Sequence, residues 1–272
     1  MKFHTNKRLA LVTLLFGLFA APASAQQATV IKVGTLGGAF EQITQAAVKA
    51  AEREGAIKIE PVVFNSSVLP NEALAGGDIH ANQYQHAVFL ANEIKRRGYK
   101  IHRAADIYNV PLAIYSKKHK RLQDLPQGAK FVVPADEANQ NRALLALQAN
   151  DLITLRADFD PAKGGATLLD IADNPKKISF VEAQVPAIPK LLDDVDGGAV
   201  NANTAFQNSG LTLQDAIAVE SPAEIHRYPS VLVVREGEQE APWLPALIRA
   251  YQSPEVKALA EERFKGTVVP LF

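Results

Sequence analysis

A run of short polar side chains occupies residues 64–86, with the sequence FNSSVLPNEALAGGDIHANQYQH. It contains Ser67 and His86, the residue types that serve as nucleophile and general base in a hydrolase. The spacing gives that interpretation little support, because the chain has no G-x-S-x-G motif to present a reactive serine at the end of a strand. We therefore predict no catalytic residue and keep a secreted hydrolase using Ser67 and His86 only as an alternative.

Metal binding is a second chemistry that the histidines of this run would suit. His80 and His86 are six residues apart, and neither belongs to a pattern such as H-E-x-x-H that would supply a third ligand. The chain has no cysteine, which excludes disulfides and thiolate metal sites. We predict no metal site and no cofactor, and keep metal binding through His80, His86 and acidic residues as a further alternative.

Arg142 is the strongest candidate for binding a charged ligand. It follows the amide-rich segment ADEANQN near the start of a predicted helix. The planar guanidinium fork binds both oxygens of a carboxylate, although a surface arginine paired with an acid would show the same pattern. Asn201 and Asn203 follow a predicted strand two residues apart, so they share one face if the strand continues. They would bind an amino group or a carboxylate, or cap the next turn.

Strands and helices must position these groups, and they alternate along the chain. TVIKVGT is a predicted strand, a helix with Phe40 and Ile43 on its apolar face ends at Gly55, and AIKIEPVVF is the next strand. This alternation of strands and helices predicts an α/β fold with mostly parallel sheets, whose ligand site lies at the carboxyl ends of strands. Residues 64–86 themselves are predicted to form two loops joined by a short helix at Asn71–Ala75.

The length of the chain, 272 residues, is enough for two lobes. We predict lobe 1 from residues 26–111 and 213–272, and lobe 2 from residues 112–212 inserted into it. The predicted ligand cleft lies between the two lobes.

The first 25 residues have the composition of a secretory signal: a basic start, a short apolar run and the small-residue exit Ala-Ser-Ala. We predict cleavage after Ala25 and export, and the absence of cysteine predicts that no lipid anchors the mature chain. Loss of the basic leader leaves a net charge of about −3, which gives no indication of nucleic acid as a partner.

Beyond these patterns, residues 64–86 resemble the signature F-N-x-x-x-x-P-N-x-A-L-x-x-G-D-I-D-A-N-x-F-Q-H of the NlpA/MetQ-type family, the methionine-binding proteins of ABC importers. The segments RGYKI, VPLAIYSKK, NQNRALLALQ and NAN follow in the order of that family, and the resemblance covers nearly all of residues 30–272. It implies a two-lobed periplasmic binding protein of the type II-like fold. Such a protein captures an amino acid as a monomer, delivers it to the permease and ATPase of the importer, and catalyses nothing.

The resemblance also implies which side chains contact the ligand. Those of the first lobe are Phe64, Tyr84, which stands where the family usually has Phe, and His86. Those of the second lobe are Asn139, Arg142 and Asn201, with Arg142 as the partner of the ligand carboxylate.

Three departures from the family pattern bear on anchoring and on the ligand. The family's lipid-bearing cysteine is absent, so the resemblance to lipoproteins does not extend to the anchor. Ser67 stands where the family often has an aromatic residue, and Ser230 where it usually has Asn. Both substitutions predict a more polar pocket, for methionine or a related, more polar compound. The hydrolase and a metal-binding importer protein remain the alternatives.

Overall fold

The computed structural model describes residue 1, residues 28–158 and residues 165–272. The predicted signal segment, including the cleavage site after Ala25, lies outside the described residues apart from residue 1. Among the residues described, no helix is both long and apolar enough to cross a membrane.

The described strands and helices alternate as predicted for an α/β fold. The strands are β1 (Thr29–Leu36), β2 (Ile57–Phe64), β3 (Ala81–His86), β4 (Ile101–Asn109), β5 (Leu112–Tyr115), β6 (Lys130–Pro134), β7 (Thr154–Leu155), β8 (Ile171–Asp173), β9 (Ser179–Ala183), β10 (Gly197–Asn201), β11 (Ala218–Val219), β12 (Pro229–Arg235) and β13 (Val269–Pro270). The helices are α1 (Ala39–Glu54), α2 (Leu69–Gly76), α3 (Ala87–Arg97), α4 (Glu137–Gln148), α5 (Ile188–Leu191), α6 (Ala202–Ser209), α7 (Pro222–Arg227), α8 (Leu244–Tyr251) and α9 (Pro254–Phe264).

The strands form two main sheets, one for each lobe. The first sheet has the order β13-β4-β12-β3-β1-β2, the second has the order β11-β5-β10-β6-β9, and β7 and β8 form a separate ribbon. The chain therefore builds most of the first sheet, crosses to the second after β4, and returns at β12. This is the two-lobed α/β architecture that the sequence predicted.

The sheets are mixed, so the prediction of mostly parallel pairing was wrong. Among the described strands, β1 pairs in parallel with β2 and β3, and β6 does so with β9 and β10. The remaining pairings are antiparallel, chiefly because the returning strand β12 inserts between β3 and β4 with the opposite direction. Mixed sheets of this kind are common in α/β proteins.

The second crossover between the sheets lies later than the sequence predicted. β11 pairs with β5, so residues 218–219 belong to the second sheet, whereas the chain was predicted to return to lobe 1 at residue 213. Two residues of strand give too weak a hydrophobic pattern to be recognised in the sequence. The chain passes between the sheets at Val110–Pro111 and again between β11 and β12.

The polar run at residues 64–86 contains a buried strand, β3, where the sequence predicted a loop. Asn82 and Gln83 are fully buried in the middle of the first sheet. The β3–β12 register shifts between Val231 and Leu232, which leaves β3 with an extra residue at Tyr84. Such a bulge redirects side chains, so the amides of Asn82 and Gln85 lie close enough to hydrogen-bond.

An amide network makes this polar strand stable inside the sheet. Asn71 of α2 donates to Gln85 Oε1 at 2.9 Å, and its own Oδ1 accepts from Asn82 at 2.9 Å and from Gln85 at 2.6 Å. All three side chains are buried, and buried amides cost little once their hydrogen bonds are made. These buried amides brace the first lobe.

Candidate functional site

His86 lies where β3 ends and α3 begins, at the carboxyl end of a central strand. Its Nδ1 accepts the backbone N–H of Phe89 at 3.1 Å, which caps α3. Nε2 must then carry the ring proton, and it donates to Oδ1 of Asn139 at 3.2 Å. Because Asn139 belongs to α4 of the second lobe, this hydrogen bond joins the two lobes.

Burial and the nearby charge of Arg142 keep the His86 ring neutral. They lower its pKa from 6.5 to about 3, with loss of solvation as the larger cause. The rings of Phe89 and Tyr228 stand edge-on to the imidazole, with centroids 6.3 and 5.2 Å away. His86 therefore acts here as a neutral hydrogen-bond donor.

Asn139 is the centre of the polar cluster because its orientation is fixed from behind. Asp136 caps α4, and its carboxylate accepts both the backbone N–H of Asn139, at 2.9 Å, and the side-chain Nδ2, at 3.0 and 3.1 Å. With Nδ2 held in this way, Oδ1 faces three donors. These are His86 Nε2 at 3.2 Å, Asn201 Nδ2 at 3.1 Å and Arg142 Nη1 at 3.4 Å.

Three donors exceed the two lone pairs of a carbonyl oxygen. They come from β3, β10 and α4, so two are in the second lobe and one is in the first. A carboxylate offers four lone-pair positions and accepts such a set better than an amide can. The cluster therefore has spare donor capacity for an anionic ligand group at the junction of the lobes.

Arg142 is positioned differently from the prediction. Its Nε donates to Glu220 Oε2 at 3.0 Å, and Nη2 bonds both Glu220 Oε1 and the carbonyl of Val110, the latter at 2.8 Å. The fork predicted to hold a ligand carboxylate is thus occupied by a carboxylate of the protein. Only Nη1 faces the cluster, and the ring centroid of Tyr228 lies 4.5 Å from the guanidinium carbon, within cation–π range.

Three residues of the site were not predicted from the sequence: Glu220, Tyr228 and Asp136. Glu220 and Tyr228 are distant from Arg142 in sequence, and no spacing rule connects them to it. One signal was available for Glu220, because a buried arginine requires a buried acid. Asp136 could have been recognised as the cap of α4, three residues before Asn139.

The predicted aromatic residues of the first lobe are Tyr84, two residues before His86 in β3, and Phe64 in β2. Tyr84 is 5% exposed, and its hydroxyl has no hydrogen-bond partner among the described residues. Burial raises the pKa of that hydroxyl well above its usual value. Its ring stands edge-on to Phe89 at 6.4 Å, so Phe89 contacts both Tyr84 and His86. Phe64 ends β2 and packs, half-buried, against the apolar cluster that includes Leu74.

The two serines that depart from the family pattern occupy different environments. Ser230 is a buried residue of β12, pairs in register with His86, and donates to the carbonyl of Gln85 at 3.4 Å. Ser67 lies half-buried in the bend before α2. None of the hydrogen bonds between described residues joins Ser67 to His86, and the structure brings Ser230, not Ser67, next to the cluster.

His80 lies apart from the cluster. Its Nδ1 accepts the backbone N–H of Lys32 at 3.0 Å, at the amino end of β3, whereas His86 is at the carboxyl end. That bond occupies one of the two ring nitrogens that could bind a metal. The fold therefore does not bring His80 and His86 together.

A small crevice borders Arg142 on the side of α4 and α7. Its lining includes Leu145, Ala149 and Glu224, and its volume of about 40 Å³ has room for a few water molecules at most. It is too small for an amino acid.

Comparison with known proteins supports the resemblance noted in the sequence. A family model described as NlpA lipoprotein matches residues 31–272. The D-methionine-binding lipoprotein MetQ of Salmonella typhi is 40% identical over 241 residues, which cover 88% of this chain and 87% of that protein.

Two solved structures share the fold. A nutrient binding protein from Burkholderia cenocepacia bound to methionine has a TM-score of 0.85 and 43% identity, covering 89% of this chain and all of that one. A periplasmic substrate-binding protein of an ABC transporter from Coxiella burnetii has a TM-score of 0.82 and 36% identity, covering 88% and 99%. The predicted family is confirmed, and the chain belongs to the NlpA lipoprotein family.

Proposed function

We propose that this protein is the substrate-binding protein of an ABC importer, and that it captures an amino acid of the methionine class between its lobes. The observation that carries the proposal is the convergence of His86, Asn201 and Arg142 on one oxygen of Asn139. A ligand carboxylate in place of that oxygen would accept from donors of both lobes. The ligand would thereby hold the lobes together, and closure would exclude water and strengthen these bonds.

The side chain of the ligand would lie on the first lobe. Phe64 and Tyr84 flank the end of the first sheet where His86 is located, and Phe89 extends the aromatic surface. A flexible thioether packs well against such rings. The family relationship supports the same assignment, because the relative from Salmonella typhi and the structure from Burkholderia cenocepacia are described as methionine-binding.

Whether the ligand is methionine itself or a more polar relative is a separate part of the proposal. Ser230 is next to His86 in the sheet, and its short hydroxyl leaves space and polarity where the family usually has an asparagine. A pocket of this kind favours methionine or a related, more polar compound. Submicromolar binding of methionine with no better ligand in an amino-acid panel would contradict the more polar pocket.

A hydrolase is the alternative from another class, and the protonation of His86 counts against it. A general base needs a free lone pair on the ring nitrogen that faces the nucleophile. Here Nδ1 accepts from Phe89 and Nε2 carries the proton, so neither nitrogen is free to act as a base. Absence of turnover with ester and amide substrates is the expected result.

The partners and location follow from the same proposal. We infer that the mature chain starts at Gln26, diffuses in the periplasm as a monomer without a lipid anchor, and docks on the permease and ATPase complex in its closed form. Mass spectrometry of the exported protein would measure both the cleavage site and any attached lipid.

The ligand experiment is a calorimetric panel of L- and D-amino acids, including both methionines, with organic acids and short peptides. We expect binding of an α-amino acid with a small, flexible side chain, and a ligand-dependent rise in melting temperature. Saturation at about 100 times Kd should add about 2.7 kcal/mol to the free energy of unfolding. Failure of every amino acid to bind would overturn the proposed function.

A further inference from the structure

Glu220 forms a fully buried ion pair with Arg142. The two side chains are 2% and 1% exposed, and the carboxylate engages the guanidinium through both of its oxygens. A pair of this kind is net neutral, so Arg142 brings a directed N–H group to the cluster without bringing an uncompensated positive charge.

Glu220 is itself held firmly on the protein backbone. Its Oε1 accepts the N–H of Leu112 at 2.8 Å, and its own N–H donates to the carbonyl of Leu112 at 3.1 Å. Arg142 meanwhile donates to the carbonyl of Val110 at 2.8 Å. The pair is thus hydrogen-bonded to the backbone next to Val110, and Glu220 itself lies just after β11. These are the two places where the chain passes between the sheets. Arg142 cannot swing its fork toward the cluster without breaking these bonds.

The geometry points to Glu220 as a positioning residue that also sets the charge of the ligand site. It turns the guanidinium so that only Nη1 faces Asn139, and it cancels the charge of Arg142. A site with this pair favours a net-neutral zwitterion, whose carboxylate accepts from Nη1, over an anion of the same shape. This inference rests on the proposed function, since it specifies the charge class of the ligand.

The other titratable groups near Arg142 add no positive charge to the ligand site. His86 is neutral because burial and Arg142 lower its pKa to about 3. Asp136 accepts two hydrogen bonds from Asn139, and burial raises the pKa of its carboxyl group. Loss of the negative charge of Glu220 would therefore leave the buried Arg142 without the carboxylate that binds its guanidinium. Electrostatic interactions are strong where water is excluded, so the preference for anions would then rise.

The test compares three ligands of one shape and different charge: L-methionine, its des-amino analogue, which is an anion, and L-methioninamide, which is a cation. Glu220→Gln removes the charge and keeps the size of the side chain, and Glu220→Asp keeps the charge as the matched control. In Glu220→Gln we expect the affinity for the anion relative to methionine to rise by at least about tenfold, and the relative affinity for the amide to fall. In Glu220→Asp both ratios should stay within about threefold of the wild type.

The ratios distinguish charge setting from a merely structural role. If Glu220 only supported the fold, Glu220→Gln would weaken all three ligands together and leave the ratios unchanged, which would overturn the inference while the proposed function stood. The wild type decides the matter even if Glu220→Gln does not fold, because tighter binding of the anion than of methionine would show an unneutralised Arg142. If the wild type binds none of the three ligands, both the inference and the proposed function fail.

Discussion

At the scale of single residues, the structure separates the groups that face a ligand from the groups that hold them. Asp136 fixes Asn139, Phe89 fixes the tautomer of His86, and Glu220 fixes Arg142. The directions of His86 Nε2 and Arg142 Nη1 are therefore set by the protein, and such preorganisation lowers the entropy cost of binding.

Arg142→Lys tests the remaining donor of the guanidinium. A lysine ammonium keeps a positive charge beside Glu220 but lacks the planar fork, so it cannot pair with Glu220 and present Nη1 at the same time. We expect amino-acid binding to weaken by about 1.5–3 kcal/mol, the usual value of a hydrogen bond to a charged group. Arg263→Lys, at an exposed position of α9, is the control in the same calorimetric titration. An effect of Arg142→Lys below a few tenths of a kcal/mol would remove Nη1 from the ligand site.

His86 should make stability depend on pH in a defined direction. Its pKa is depressed in the folded protein, so the folded state requires the neutral ring. This contribution is complete above about pH 6.5 and is lost as pH falls toward 3. Across that window the slope of unfolding free energy against pH should exceed that of His86→Gln by up to about 1.4 kcal/mol per pH unit. Chemical denaturation at a series of pH values measures it, and equal slopes would show that the ring is not held neutral.

At the scale of elements, β3 shows what the sequence could not predict. Regularly spaced apolar residues predicted β1, β2 and α1, because an apolar face that will be buried shows in the sequence as a period of two for a strand and about 3.6 for a helix. The segment ANQYQH has no such face, and it is stable as a strand only because Asn71, from another element, completes its hydrogen bonds. The residues of the candidate site were likewise predicted only in part. Arg142, Asn139, His86 and Asn201 were predicted, whereas Glu220 was missed because its role depends on a tertiary contact.

Asn71→Ala should destabilise the first lobe. The substitution leaves Asn82 and Gln85 buried with too few partners, and each unsatisfied buried polar group costs about 1–3 kcal/mol. We expect a loss of about 2–4 kcal/mol in the free energy of unfolding. Gln123→Ala, an exposed amide in the second lobe, is the control and should change stability by less than about 0.5 kcal/mol. Equal small effects would mean that the amide network is not needed for β3.

At the scale of the whole molecule, three of the contacts that join the lobes lie at different places along the junction. The hydrogen bond from His86 to Asn139 is one, and the edge-on packing of Phe206 on Phe264, with centroids 6.4 Å apart, is another. The third is the close approach of Gln207 to Gly38, where α6 of the second lobe touches the start of α1. A ligand that contacts both lobes would add to these contacts and so shift the balance between open and closed forms.

Two adjacent glycines allow that junction to be tested with a matched pair of substitutions. Gly38 has φ 82°, which favours glycine, and a β-carbon there would collide with the side chain of Gln207. A β-carbon on Gly37 would meet nothing within 4 Å, and its φ is not in the positive range. We therefore expect Gly38→Ala to lower stability by about 1–3 kcal/mol and to weaken ligand binding, with Gly37→Ala close to the wild type in both.

The cause of any weakened binding can be located by X-ray scattering with and without saturating ligand. If Gly38→Ala keeps the lobes apart, its radius of gyration should shrink less on ligand addition than that of the wild type and of Gly37→Ala. Gln207→Ala in the Gly38→Ala background removes the collision but not the backbone strain, so it should restore ligand affinity more than stability. Unchanged affinity in Gly38→Ala would mean that closure of the lobes on the ligand does not depend on the contact between α6 and α1.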